Sequence, residues 1–156
     1  MVAALANLED RTALITGVGS ADGIGFAIAR KLCELGTAVF VTSASPRCLD
    51  RAKELRFAGH RAEAAVCDLT DDAQVTELVG TALAEFGRID ILVNNAGMTS
   101  IDDPIPPSTP LHKLDAENWR QQIERNLTTQ FLVSSEVLPL MTTHRWGRIV
   151  NVASTT

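Results

Sequence analysis

Residues 16–25 read TGVGSADGIG, between a short apolar run and a segment with helical spacing. Gly17 can make the sharp exit from a strand. Gly23 and Gly25 lack Cβ atoms, so a pyrophosphate can approach the backbone where the next helix begins. A helix N-terminus offers unpaired N–H groups and a partial positive charge there. Gly19, Ser20 and Ile24 belong to the same turn and are counted with it as cofactor-binding. The position between strand and helix is the context this chemistry requires; the plain alternative is a tight turn without a ligand. Roughly 20 residues past such glycines, a carboxylate usually holds the ribose hydroxyls of NAD. Counting along GTAVFVTSASPR places Ser43 at that point, and no carboxylate follows before Asp50. A carboxylate would repel a 2′-phosphate, whereas Ser43 and Ser45 can donate hydrogen bonds to one and Arg47 can supply charge. The expected cofactor is NADP in preference to NAD. Arg47 read alone is a solvated first-turn residue, and Asp22 weakens the local positive field.

These residues need elements to hold them, and the chain alternates strand and helix. TALIT (12–16) is the first strand. Ile24 to Leu35 follows as a helix, with Ile24, Ala27, Ile28, Leu32 and Leu35 on one face and Gly36 as its stop. AVFVT (38–42) precedes a helix from Arg47 to Phe57, and AEAAVC (62–67) is the third strand. Val75, Leu78, Val79, Ala82, Leu83 and Phe86 repeat at helical intervals. Asp71 or Asp72 can cap that helix and Gly87 can end it. IDILVNN (89–95) is a nearly continuous apolar strand, as expected where helices cover both sheet faces. Met98 to Leu114 is a loop with four prolines, whose Ile101, Ile105 and Leu111 could touch a substrate or simply form a surface connection. Asp115 to Leu138 reads as one long helix ended by Pro139, and Arg148 to Val152 as a buried fifth strand. Five strands joined by helical crossovers imply one α/β domain with a doubly wound parallel sheet of Rossmann type in the order 3-2-1-4-5.

Composition removes other classes. With 14 basic residues scattered among 19 acidic ones, the net charge of -5 gives no surface for nucleic acid or an anionic membrane. No apolar run approaches the roughly 18 residues of a spanning helix. Three cysteines without CxxC spacing read as buried reduced thiols, which places the protein in the cytoplasm. Histidines at 60, 112 and 144 form no metal-ligand cluster.

The motifs taken in order, TG…GIG at 16–25, CDLTD at 67–71, NNAG at 94–97, NLTTQF at 126–131 and GRIVNVAS at 147–154, resemble the short-chain dehydrogenase/reductase family. The resemblance covers nearly the whole chain. It implies that Asp68, with Leu69 beside it, accepts a hydrogen bond from the adenine amino group; a helix-capping role also fits Asp68. It implies that Asn94, Asn95, Ala96 and Gly97 wall the adenine-ribose side and brace the central strands. Asn126 resembles the family's active-site Asn, which bends a helix and helps hold a water in a proton relay; otherwise it is a polar residue on a wet helix face. Ser154 matches the catalytic Ser that hydrogen-bonds the substrate oxygen; otherwise it is a strand-end turn Ser.

Three departures qualify the resemblance. Five residues separate Gly17 from Gly23 where the family usually has three, a spacing like that of its enoyl-reductase branch. Asp22 stands where many NADP-using members carry a basic residue, and is expected to point away, capping the helix at Ile24 or Gly25. The family's general acid is a Tyr assisted by a Lys four residues on, roughly a dozen residues past the Ser. This chain has no Tyr, and Lys113 and His144 read as solvated surface residues. The expectation is an incomplete domain over 1–156, inactive alone, from an oxidoreductase acting on a carbonyl/alcohol pair once the remaining C-terminal segment supplies the donor. Enoyl reduction and a non-catalytic nucleotide-binding or scaffolding module are the alternatives. Without further strands RIVNV would become a bare sheet edge. Ile123, Leu127, Phe131, Leu132 and Leu138 lie on more than one side of the long helix and imply a homo-oligomer.

Overall fold

The computed structural model describes residues 8–97 and 110–153. Among them are strands β1 (Thr12–Ile15), β2 (Ala38–Ser43), β3 (Ala62–Val66), β4 (Ile91–Asn94) and β5 (Arg148–Asn151). All pair in parallel, in the order β3-β2-β1-β4-β5, and each lies within two residues of its expected bounds. The helices are α1 (Ile24–Glu34), α2 (Arg47–Phe57), α3 (Asp72–Phe86), α4 (Ala116–Ile123) and α5 (Thr129–Thr143).

The apolar strands are buried on both faces because alternate residues enter two cores. Ala13, Ile15, Val39, Val41, Ile91 and Val93 pack with α1 and α2. Leu14, Phe40 and Leu92 pack with Val75, Leu78, Val79 and Ala82 of α3 and Val133, Val137 and Met141 of α5. The Asp71 carboxylate caps α3, accepting from the N–H groups of Ala73 and Gln74, and Gly87 ends it in the left-handed region at φ 75°. Asp71 is correspondingly held below its ordinary carboxylate value, chiefly by its bond from the Gln74 backbone.

Three helical expectations need correction. The inner face of α1 is Gly25, Phe26, Ala29 and Cys33, and Ile24 is exposed. Small residues at i, i+4 and i+8 let the backbone approach the sheet closely, so the larger aliphatics flank the contact. The helix from Asp115 is not uniform: Asp115 caps α4 by accepting from Asn118 N, and a π-helical turn, Glu124–Thr128, separates α4 from α5. Pro139 does not end α5, which continues to Thr143. Ser135 and Pro139 are both exposed, so the missing hydrogen bond falls on the solvent side. Buried Val133, Val137 and Met141 hold the helix to the sheet past it. The fifth strand is not buried within these residues: all of β5 is exposed, with Ile149 and Val150 open on the outer edge, the bare edge expected of RIVNV where no further strand covers it.

The amino ends of three strands are clamped by Asp90, which is 1% exposed. Its carboxylate accepts from Thr12 N at 3.0 Å and pairs with Arg11 at 3.2 Å and with Arg88. Its carbonyl accepts from Arg148 N at 2.9 Å. Arg11 and Arg148 also lie over the Trp146 ring, at 4.0 and 5.0 Å from its centre. The opposite, carboxyl ends of the strands carry the turns that hold the candidate residues.

Candidate active site

Thr16 follows β1 directly, and its buried hydroxyl accepts from the backbone N–H groups of Asn95 at 3.0 Å and Ala96 at 2.9 Å. The Asn95 side chain donates to the carbonyls of Thr16 at 3.1 Å and Gly17 at 3.2 Å. The first turn and the NNAG turn are thus laced together. Gly17 sits at φ 72°, and a Cβ there would lie 2.8 Å from the backbone of Ala96. A Cβ on Gly25 would lie 2.6 Å from Asn95 Nδ2 and 2.9 Å from the Gly17 carbonyl. The bare Cα of Gly25 therefore serves this packing. Gly23 forms the N-cap of α1 with no side chain bonded to the helix end. Asp22 is exposed and does not cap, contrary to expectation. The first-turn N–H groups of α1 are left for an anion, with Ser20 and Ile24 exposed beside them.

At the end of β2, a Cβ on Gly19 would stand 3.6 Å from both Arg47 Nε and Ser43 Oγ. Arg47 Nε donates to Ser45 Oγ at 3.1 Å. Ser43 is nearly buried and spends its hydroxyl proton on the Ser45 carbonyl at 2.7 Å, so it does not present the donor expected of it. Arg47 and the Ser45 hydroxyl are the groups available to a phosphate. At the end of β3, Cys67 N donates to the Ser43 carbonyl at 3.1 Å and holds the Asp68 turn against β2. Asp68 Oδ1 accepts from Thr70 N and Thr70 Oγ1 at 3.0 and 2.7 Å; capping belongs to Asp71. Leu69 is buried beneath it in the α3 core.

Asn126 lies in the π turn, so the expected helix irregularity is present at that residue. A Cβ on Gly97, at φ 141°, would lie 2.9 Å from Asn126 Oδ1, which brings the π turn against the NNAG turn. Asn94, 1% exposed, donates through Nδ2 to Ser134 Oγ at 3.0 Å and Asn151 Oδ1 at 2.9 Å. It therefore ties β4 to α5 and β5. Ser154 and the loop 98–109 lie outside the described residues. Lys113 and His144 are exposed, as expected.

Sequence reasoning missed Thr16, Gln122, Gln130, Ser134 and Asn151. Thr16 and Asn151 shared a usable signal, a polar residue closing an apolar strand at its carboxyl end. Gln122 and Gln130 stand four residues either side of Asn126. Two surface cavities open elsewhere. One of about 200 Å³ lies at the amino end of β3 between Arg56, Arg61 and Phe86. One of about 310 Å³ lies between Arg30 of α1 and Glu54 of α2. Among the described residues no group of His, Cys, Asp and Glu could hold a metal, and no helix is long and apolar enough to cross a membrane.

The three cysteines are free and buried. Burial raises the thiols of Cys33 and Cys67 from 9.0 to about 11, aided by the negative charges of Glu34 and Asp68 respectively. Below the unfolded value, both states keep their protons and no pH dependence arises. Between about pH 9 and 11 the unfolded thiols ionise while the folded ones do not, so stability falls as pH rises through that window. Urea midpoints measured across it should fall, and a Cys33→Ala/Cys67→Ala double variant should flatten the slope. An identical slope in the variant would refute the assignment.

The short chain dehydrogenase family model matches residues 11–156. The chain is 43% identical over 145 residues to cis-4-hydroxycyclohexanecarboxylate dehydrogenase of Sinomonas cyclohexanicum, covering 93% of this chain and 55% of that protein. It is similar to a metagenomic short-chain oxidoreductase solved in complex with NADP, with TM-score 0.83 and 33% identity over 96% of this chain and 65% of that one. It is also similar to a variant actinorhodin polyketide ketoreductase solved with NADPH, with TM-score 0.82 and 38% identity over 93% of this chain and 53% of that one. The chain spans about half the length of the curated relatives it matches.

Proposed function

This chain belongs to the short-chain dehydrogenase family, and from that premise we propose that the protein it forms part of is an NADP(H)-dependent oxidoreductase acting on a carbonyl/alcohol pair. The observation that carries the reading is the convergence of the uncapped N-terminus of α1, the Gly19–Ser45–Arg47 group and Asn126 at the carboxyl ends of one parallel sheet. The residues present fit the cofactor. The α1 N–H groups receive its pyrophosphate. Arg47 and the Ser45 hydroxyl receive the 2′-phosphate, with no carboxylate at Ser43 to repel it. The free side of the Asp68 carboxylate takes the adenine amino group. When bound, the nicotinamide supplies or accepts the hydride.

On the substrate side, Ser154 hydrogen-bonds the reacting oxygen and Asn126 holds a water of the proton relay. Proton transfer falls to a Tyr and Lys outside residues 1–156, a reading supported by the lack of Tyr within them. The relatives named for a cyclic hydroxy acid and for a polyketide support a ketone or secondary alcohol as substrate class. Three unpaired buried thiols support the cytoplasm as its compartment.

The cofactor assignment is tested by affinities of both nicotinamides at one ionic strength. Loss of a charged hydrogen bond costs about 1.5–3 kcal/mol, so Arg47→Ala should weaken NADPH roughly 10- to 100-fold. NADH should bind as before. Equal losses for both would remove Arg47 from the site. Ser43→Asp should swing preference towards NAD.

The active protein is a homo-oligomer through α4 and α5. Trp119, Ile123, Leu127, Phe131 and Leu138 are all exposed there, at 52%, 36%, 60%, 66% and 53%. Exposed large apolar side chains in this number support an interface. Sedimentation of the complete protein should give a dimer or larger, and Phe131→Glu should yield monomers. A monomeric unaltered protein would refute the assembly.

A further inference from the structure

We infer that Gln122 and Gln130 are positioning residues that fix Asn126 from both sides along the helix. The inference rests on the proposed role of Asn126. The three carboxamides stand at i, i+4 and i+8 and span the π turn, each half-buried. Asn126 Nδ2 donates to the Gln122 carbonyl at 2.9 Å and to Gln122 Oε1 at 3.1 Å. With its donors directed at Gln122, the Asn126 amide can present only Oδ1 towards the Gly97 turn, where the close approach to that glycine is seen. Gln130 Nε2 donates to the Asn126 carbonyl at 2.9 Å. In a regular α-helix the backbone N–H of residue 130 would be aimed at that carbonyl. Here the side chain reaches it across a widened turn. The two oxygens through which Asn126 can hold a water, Oδ1 and the backbone carbonyl, are thus each set by a neighbouring glutamine.

The side chains of both glutamines bond to Asn126 and not to the α1 N-terminus or the Ser45–Arg47 group, so cofactor binding should not depend on them. The test uses the complete protein. Gln130→Leu removes the donor, and Gln122→Met removes the side-chain acceptor while keeping helix propensity and bulk. Misplacement of a reacting group by about 1 Å costs on the order of 10²-fold in rate, so kcat should fall by roughly 10- to 100-fold in Gln130→Leu. KM for NADPH should stay unchanged. Gln130→Lys, which restores a donor on a long side chain, should recover most of the lost kcat. An unchanged or raised kcat in Gln130→Leu would overturn the inference, and so would a loss that Gln130→Lys leaves uncorrected. If the unaltered protein turns over no carbonyl substrate, it is the proposed function that fails, and the glutamines are read directly. Solvent exchange of the Asn126 side-chain amide protons, followed by NMR, should speed up in Gln122→Met. Equal exchange in both proteins would overturn the positioning role regardless of activity.

Discussion

Gly17→Ala should lower the unfolding free energy by about 2–5 kcal/mol, a large share of the roughly 5–15 kcal/mol of an ordinary domain. Two effects add. An L-residue in the left-handed region costs about 1–2 kcal/mol, and Gly17 sits at φ 72°. Overpacking costs about 1–3 kcal/mol more, because the new methyl would meet backbone atoms of Ala96 at 2.8 Å. Ala96 cannot step aside freely, since its N–H is bound to the Thr16 hydroxyl. The control is Gly80→Ala, in the exposed middle of α3 with nothing within 4 Å of the added carbon. That change should stabilise by about 0.5–1 kcal/mol, because Gly is the poorer helix residue. Urea midpoints of the two variants should move in opposite directions. Equal shifts would mean that the contact between the first turn and the NNAG turn holds little of the fold.

A polypeptide of residues 1–156 alone should show no turnover above a Ser154→Ala control, while the complete protein should be active. The role proposed for Ser154 is hydrogen bonding, which supplies no proton, and general acid catalysis contributes about 10²–10⁴-fold. The decisive comparison is NADPH oxidation with a cyclic ketone, for both polypeptides at equal concentration. Measurable turnover by the shorter one, lost on Ser154→Ala, would show that another group moves the proton.

Much of this arrangement was legible in the residues because local chemistry and global fold agree at them. The strand runs of β1, β2 and β4 are apolar on both faces, which only a two-sided parallel sheet explains, and the order of the sheet followed. Asp71 and Gly87 were readable as helix ends because capping depends on neighbours in the chain. The inner face of α1 was misread because hydrophobicity was counted where closeness mattered: Gly25, Ala29 and Cys33 face the sheet for being small. Asp22 and Ser43 were misassigned for a related reason. A hydroxyl or carboxylate announces its capacity to bond but not its partner, and the Ser43 proton goes to a carbonyl two residues away. Pro139 signals a helix end only where tertiary contacts do not outweigh it. The lacing of Thr16 to Asn95 depends on strands far apart in sequence, beyond the reach of local pattern.

The π turn that holds Asn126 has a consequence for how this sequence can change over generations. A π turn is an α-helix carrying one surplus residue, and each residue of an α-helix advances the chain by about 100°. Deleting one residue from 124–128 would therefore close the turn into regular α-helix and leave Val133, Val137 and Met141 facing the core they now fill. What it would remove is the irregularity in which Asn126 sits. A second deletion, or an insertion, finds no surplus to absorb it and would turn α5 by roughly 100° against the sheet. The packing behind the site can therefore outlive the site, whereas the site cannot outlive its extra residue.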